Sequence, residues 1–452
     1  MNTAALAASM AAQVRAGSPP RHRDVHLLQA SHGAQLFVVD GSRLYDLPET
    51  LADEFRTALA DGSAAVTQLA ASSGITALRA IDDVPLAPMP AHALSLAVAQ
   101  KCNLGCTYCY AQQGAFGGPA RNMALDIAKR SIDLLVEGAA PGAKVNLAFL
   151  GGEPLQNRPV LREATEYAVG VAAAHGVDIG FSITTNGTLL KPADADFFET
   201  HGFAVTVSLD GPAEQHDRLR PLKNGRGSYE LILRQIAPLL ERQRRMQVSA
   251  RVTVTPLNLD LPGTLDHFIG MGFHSVGFSP LLRAPNGREE MGAHELETML
   301  EGMIACGLAF EAHVVEGSRY PFLNMVNALR ELHRGSHRPY PCGAGAGYFG
   351  VSAEGDLAAC HRFVGDTQGQ FGHVSTGIDV DKQRSWLTQR HVHAQSPCNG
   401  CWARYLCGGG CHHEVLARGR SACDYIRGWL HYTMQAYGRL SRLAPDWFGA
   451  AA

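Results

Sequence analysis

The chain has 452 residues, 46% of them hydrophobic and 18% charged, at a formal net charge of −3. That is enough for two or three domains around a substantial core. So even a charge balance gives nucleic acid or an anionic membrane no electrostatic hold, and neither is expected as a partner. No apolar run approaches the roughly 20 residues of a membrane span. The eleven cysteines follow a start without a basic stretch ahead of an apolar core. They point to a reducing, cytoplasmic compartment, where clustered cysteines hold metal more often than disulfides.

In chain order, residues 1–23 are Ala-rich (MNTAALAASMAAQVRAGSPP at the start) and read as a disordered tail. Over 24–85, "DVHLLQA", "AQLFVVDG" and "SRLYDL" predict a three-stranded meander. "PETLADEFRTALADG" then predicts a helix with Leu51, Phe55 and Leu59 on one stripe, followed by a second short helix. "LAPMPAH" (86–92) is a linker. From 92 to 300 six β-rich segments appear, at 94–100, 144–150, 178–185, 203–209, 248–254 and 274–280. Amphipathic stretches separate them, such as 124–138 with Ile127, Ile132, Leu134 and Leu135. Six strand–helix units predict an α/β fold of parallel strands with right-handed crossovers, closing into a partial (β/α)6 barrel. Chemistry is then expected in the loops that follow the strands. A helical bridge (301–340) leads to a Cys-rich segment at 341–430.

"CNLGCTYCY" (102–110) follows the first predicted strand directly. Three thiolates can hold three irons of a 4Fe–4S cube and leave the fourth iron open. A structural zinc would want a fourth ligand close by, yet no cysteine follows Cys109 before Cys306. A zinc-binding or coincidental loop is the competing reading.

The spacing Cys102-x3-Cys106-x-Tyr108-Cys109 resembles the cluster loop of the radical S-adenosylmethionine enzymes. The resemblance implies that the open iron chelates the amino and carboxylate groups of S-adenosylmethionine. An electron, delivered by a donor such as flavodoxin or ferredoxin, would then release a 5′-deoxyadenosyl radical. "GGEP" (151–154) after the second strand matches the family's motif for the methionine amino group. In it Gly151 and Gly152 would let backbone approach a ligand closely, and Glu153 would offer a carboxylate. By the same resemblance Ser208, in "SLDG", and Arg220, in "HDRLR", contact the cofactor. Asp210 and Asp217 read equally well as strand-end caps.

Toward the C-terminus come Cys342, Cys360, Cys398-x2-Cys401-x5-Cys407-x3-Cys411 and Cys423. This pattern resembles the SPASM extension of radical S-adenosylmethionine maturases, which carries two auxiliary 4Fe–4S clusters. The resemblance assigns Cys398, Cys401, Cys407 and Cys423 to an outer cluster, and Cys342, Cys360 and Cys411 to an inner one. Three 4Fe–4S clusters are therefore expected. Cys306 fits neither set and reads as a core thiol. Sulfatase-maturing members have a further cysteine before the position of Cys342 and a basic aspartate after that of Cys360. Here "RGSHRPYP" and His361 stand there. His361 and Asp210 are the candidate catalytic residues. The inner cluster's fourth iron is expected either to take His333 or His337 or to stay open for a substrate thiol.

The stretch 347–366 is closest to thioether-forming members, such as those that mature the small subunit of quinohemoprotein amine dehydrogenase. The expected activity is a cysteine-to-carbon thioether crosslink in a ribosomally made peptide. Carbon–carbon (cyclophane) crosslinking is the alternative, and formylglycine-type sulfatase maturation is disfavoured by the two departures. The 24–85 segment resembles the winged-helix-like peptide-recognition domain of such maturases, which would capture a leader segment by adding a strand to its sheet edge.

Overall fold

A computed structural model describes residues 3–16, 22–30, 33–75, 81–335 and 338–450. The chain opens with α1 (Thr3–Ala16), strands β1 (Val25–Ala30), β2 (Gly33–Val38) and β3 (Arg43–Leu47), and helices α2 (Glu49–Asp61) and α3 (Ser63–Ser72). The main sheet begins at β4 (Ala93–Gln100), onto which the two-residue β5 (Arg121–Asn122) folds back. Strand–helix units follow: α4 (Leu125–Glu137), β6 (Lys144–Gly151), α5 (Arg158–His175), β7 (Asp178–Thr185), α6 (Pro192–His201) and β8 (Ala204–Ser208). Then come α7 (Ala213–Leu219), α8 (Tyr229–Arg242), β9 (Gln247–Val254), α9 (Leu261–Gly270) and β10 (Ser275–Pro280). Helices α10 (Ala293–Val315) and α11 (Leu323–Arg334) lead to β11 (Tyr348–Val351), β12 (Asp356–Ala358), β13 (Gln370–His373) and β14 (Gly377–Ile378). The last elements placed here are α12 (Val380–Arg390), α13 (Arg404–Cys407), α14 (His412–Arg418) and α15 (Cys423–Leu443).

The six expected strands form one parallel run in the order β10-β9-β8-β7-β6-β4. Along them side chains alternate, as a sheet with one face on helices and one on a lumen requires. Val145, Leu147 and Phe149 of β6 pack outward and are buried, while Asn146 and Ala148 are not. Helix α4 meets this face with Ala128, Ile132, Leu135 and Val136. Unlike a free barrel edge, β4 pairs in parallel with β11, and β12–β14 continue the sheet antiparallel. The Cys-rich segment thus extends the barrel sheet itself.

In the N-terminal unit both faces of the meander are covered. Val25, Leu27, Leu36 and Val38 pack with Phe55 and Leu59 of α2. Leu28, Phe37 and Val39, one residue out of phase, pack with Trp402, Tyr405, Leu406 and Met434. His26 stacks on Trp402 at 3.9 Å, and its Nε2 hydrogen-bonds His431 Nδ1 at 2.9 Å. Arg404, fully buried, reaches Asp24 at 3.1 Å.

The expected disordered tail is corrected in part. Thr3–Ala16 is helical, with Ala7 and Ala11 buried on α10; residues 17–21 lie outside the described set. Short alanine side chains let the two helices approach closely, which gives an otherwise weak helix its packing. Among the described residues α10 alone is long and apolar enough to cross a membrane. It is instead packed by α1, α9 and α15. Its Glu311 accepts two hydrogen bonds from Arg439, each 2.7 Å, and one from Tyr432, 2.6 Å. Cys306, as read, is a fully buried core thiol on α10.

The α10–α15 crossing depends on Gly307, where a Cβ would lie 2.4 Å from the Tyr432 ring. Ala normally stabilises a helix relative to Gly by up to about 1 kcal/mol. Here overpacking reverses the sign, and Gly307→Ala should destabilise by about 1–3 kcal/mol. Gly170→Ala on α5, where nothing lies within 4 Å, should raise the melting temperature. Equal shifts in the two thermal melts would sink the close-packing account.

Candidate active site

The cluster loop 102–110 leaves the end of β4 and is held by the ends of the neighbouring strands. Glu153, 0% exposed, accepts hydrogen bonds from the Leu155 N–H (3.1 Å), the Thr185 hydroxyl (2.8 Å) and the Asn186 N–H (2.7 Å). The Asn186 amide in turn donates to Cys102 Sγ (3.6 Å) and Asn103 Oδ1 (3.0 Å). Burial raises the pKa of Glu153, and these donors oppose the rise. Three of the roughly four lone pairs of its carboxylate are spent inside the chain, so Glu153 ties "GGEP" to "TTNG" with one acceptor site left over. The glycines also differ from expectation. A Cβ on Gly151 would lie 2.3 Å from the Ala99 carbonyl, and one on Gly152 2.2 Å from that of Lys101. Their close approach is to the root of the cluster loop itself.

On the other side of the loop, Tyr108 donates to Asp210 Oδ2 and accepts from Arg220 at 2.6 Å. Asp210 Oδ1 accepts from the Thr253 N–H at 3.0 Å, and Asn258 donates to the Asp210 carbonyl at 2.8 Å. Asp210 is 0% exposed. Its carboxylate is consumed by Tyr108, Arg220 and β9, which assigns it a positioning role in place of the expected catalytic one. Burial raises its pKa against the pull of Arg220. His216 lies beneath, its Nδ1 accepting from the Asp210 N–H (3.3 Å); burial and Arg220 push its pKa down to about 3. Asp217 is a helix cap, accepting from the Ser228 and Tyr229 N–H groups at the start of α8. Arg220 Nε is buried without a partner, beside Cys102, Cys106 and Glu153. An orphaned guanidinium nitrogen at this place fits the carboxylate of S-adenosylmethionine. Ser208 ends β8 opposite Arg251 of β9.

The thiols fall into three electrostatic groups. Cys102, Cys106 and Cys109 act on one another; so do Cys342, Cys360 and Cys411, and Cys398, Cys401, Cys407 and Cys423. Burial pushes Cys106 and Cys360 up to about 12 and Cys398 up to about 11. Thiolates in such places need a cation at short range, which iron would supply. Among the described residues no set of three ligands converges on a single ion. A cube asks for that looser spacing, because each corner iron takes its own thiolate. The four-cysteine set lines a cavity of about 60 Å³ with Gly409, Gly410 and Arg420, and Cys411 of the inner set lines it too. That is several times the room one water needs. The residues present fit iron–sulfur cubes.

His333 is not beside the inner set. It is exposed, stacked on Phe448 at 4.9 Å and hydrogen-bonded to Tyr437 at 3.3 Å. It is thereby corrected as a candidate ligand, and His337 lies outside the described residues. His361 follows Cys360, its Nδ1 2.8 Å from the Tyr348 hydroxyl, which is itself 2.8 Å from Ser95 Oγ. Tyr110, given no role in the sequence reading, is near both Cys109 and Cys360, whose charges act on it. Its ring is 6.0 Å from that of His361, and the Arg362 guanidinium lies over it at 5.2 Å. Tyr110 and Arg362 thus join the two cysteine groups. Each is adjacent to or two residues beyond a candidate ligand, which is the signal that could have found them.

Residues 96–268 match the model of the Radical SAM superfamily. Among curated proteins, the serine-type anaerobic sulfatase-maturating enzyme of Klebsiella aerogenes is 25% identical over 351 residues, 75% of this chain and 83% of that protein. Among solved structures, native anSMEcpe with bound AdoMet superposes with a TM-score of 0.63 at 19% identity, over 78% of this chain and 99% of that one. SuiB of Streptococcus suis bound to precursor peptide SuiA gives 0.53 at 12% identity, over 88% and 96%. These two share the fold. With the cluster loop at the end of the first barrel strand, residues 96–268 form a Radical SAM core.

Proposed function

We propose that the enzyme is a maturase that oxidises a residue within a peptide or protein, using S-adenosylmethionine and three 4Fe–4S clusters. The observation that carries this reading is the nearness of the two cysteine groups at Tyr110, which follows Cys109 and whose ring meets His361 at 6.0 Å and Arg362 at 5.2 Å, the two residues after Cys360. When bound, the cofactor supplies a radical that removes a hydrogen atom from a carbon of the target residue. Cys102, Cys106 and Cys109 would hold the first cluster, and Arg220 and Ser208 would orient the cofactor. The inner and outer sets would hold the auxiliary clusters, which accept the electron released as the product forms. His361, fixed by Tyr348, would take the proton, although burial and Arg362 hold its pKa down at about 3. A leader segment would pair with the edge of β3, beside a groove formed by Gly41–Tyr45, Leu332–Gly335 and Tyr437.

Two chemistries follow from different observations. Oxidation of Ser or Cys to formylglycine is the better supported by relatives such as the Klebsiella enzyme. Thioether formation is supported by the inner set, for which the described residues offer three thiols and His333 is turned away.

Iron analysis after anaerobic reconstitution should find about 12 iron per chain, and a value near four would remove the auxiliary clusters from the proposal. Replacing Cys102, Cys106 and Cys109 together by Ala should abolish 5′-deoxyadenosine formation while the remaining iron stays bound; continued cleavage by the dithionite-reduced variant would contradict the assignment. Product chemistry separates the readings. A carbonyl trapped by a hydrazide reagent supports formylglycine, and a thiol lost without a carbonyl supports the thioether. A product keeping its thiol and lacking a carbonyl would point to carbon–carbon crosslinking.

A further inference from the structure

Among the described residues, nothing neutralises one cation that stands in the barrel lumen. Along β9, Val248, Ala250 and Val252 are buried against the helices, while Ser249, Arg251 and Thr253 face the lumen. The row at the level of Arg251 runs from Ser208 on β8 to Gly277 on β10, which carries no side chain to crowd the guanidinium. Arg251 is exposed, yet burial is the main cause lowering its pKa. Solvent reaches it while protein surrounds it, as expected for a side chain standing in a water-filled cavity.

Among the described residues Arg251 makes no hydrogen bond and no ion pair. The groups acting on it are Arg362, of like charge, and Tyr108. Arg362 pairs with Glu414 at 2.5 Å, but its Nε is buried without a partner. Two guanidiniums therefore stand near one another, and the one carboxylate paired with either of them among the described residues, Glu414, is on Arg362. Partly desolvated charge without a counter-ion is unfavourable. A carboxylate entering the lumen would offset both the desolvation and the mutual repulsion, and the planar guanidinium accepts one in bidentate fashion.

The methionine carboxylate of the cofactor is the first source to consider. Arg220 is the better placed for it, because its neighbours include Cys102 and Cys106. Those of Arg251 lie toward the inner cysteine set, with Arg362 and His361.

We propose that Arg251, with Arg362 behind it, receives a carboxylate of the substrate, either an Asp or Glu side chain near the modified residue or a C-terminal carboxylate. The proposal rests on the peptide-substrate reading. The reconstituted full chain with S-adenosylmethionine is offered randomised pentapeptides, either amidated or free at the C-terminus, and retained peptides are sequenced by mass spectrometry. The wild type should enrich Asp and Glu, or free over amidated C-termini, by about tenfold, the effect of one charge-assisted contact. Arg251→Gln should retain peptides without that preference, and Arg251→Lys should recover part of it. Iron content equal to the wild type shows that a variant has folded. Retained peptides without acidic preference would overturn the proposal alone, whereas no retention by the wild type would overturn the peptide reading with it. A tenfold loss of S-adenosylmethionine in Arg251→Gln, measured by equilibrium dialysis, would give the carboxylate to the cofactor and equally overturn it.

Discussion

Burying several thiols close together is the constraint around which the molecule is arranged. Cys106, Cys360 and Cys398 are pushed toward their protonated forms by loss of water and by neighbouring thiols, so the loops that carry them cannot be held by the thiols themselves. They must be held from outside. Glu153 does this for the first set by joining the ends of β6 and β7 to Cys102 through Asn186. Removing it would leave several buried donors without an acceptor, each at a cost of about 1–3 kcal/mol. The Tyr108–Asp210–Arg220 contact does the same from β8 and β9. The first cluster loop is thus clamped from both sides of the barrel mouth.

The inner set is held by continuity of the sheet. Pairing of β11 with β4 carries Tyr348 to Ser95 and brings Cys360 opposite the cluster loop. At Gly350 a Cβ would lie 2.7 Å from the Cys360 carbonyl carbon, so the turn bearing this cysteine is folded tightly onto β11. The spacing between the Radical SAM core and the inner cysteine set is therefore fixed by strand pairing, with little freedom left to a linker.

Much of this was legible in the chain. Periodicity placed all six barrel strands within about two residues, because each alternates or fills with β-branched residues between amphipathic helices. Cysteine spacing set the cluster loop apart from the C-terminal seven, and the division of those seven came from the resemblance to the SPASM extension. Individual roles were harder. In sequence Glu153 looks like a free functional group and Asp210 equally like a strand-end cap, and their partners from β7, β9 and the cluster loop show both tying loops together. Helix α1 was missed because its alanines carry little periodic signal, and what stabilises it lies on α10, almost three hundred residues away. Arg251 was visible as the one charge in "VSARVTV", but its meaning depends on Arg362, brought near by the auxiliary strands.

The covering of the N-terminal sheet limits how a peptide can be received. One face is filled by α2 and the other by Trp402, Tyr405 and Leu406, next to Cys401 and Cys407. Neither face can open without exposing a buried aromatic residue or stripping Arg404 of Asp24. A bound segment is left with the sheet edges, where main-chain hydrogen bonds supply affinity and side-chain pockets supply selectivity. Of these, β3 alternates exposed Arg43 and Asp46 with half-buried Leu44 and Tyr45. The face contacts, in turn, make the outer cysteine loop and the meander one packed unit, so whatever pairs with the edge acts on a body already joined to the auxiliary cysteines.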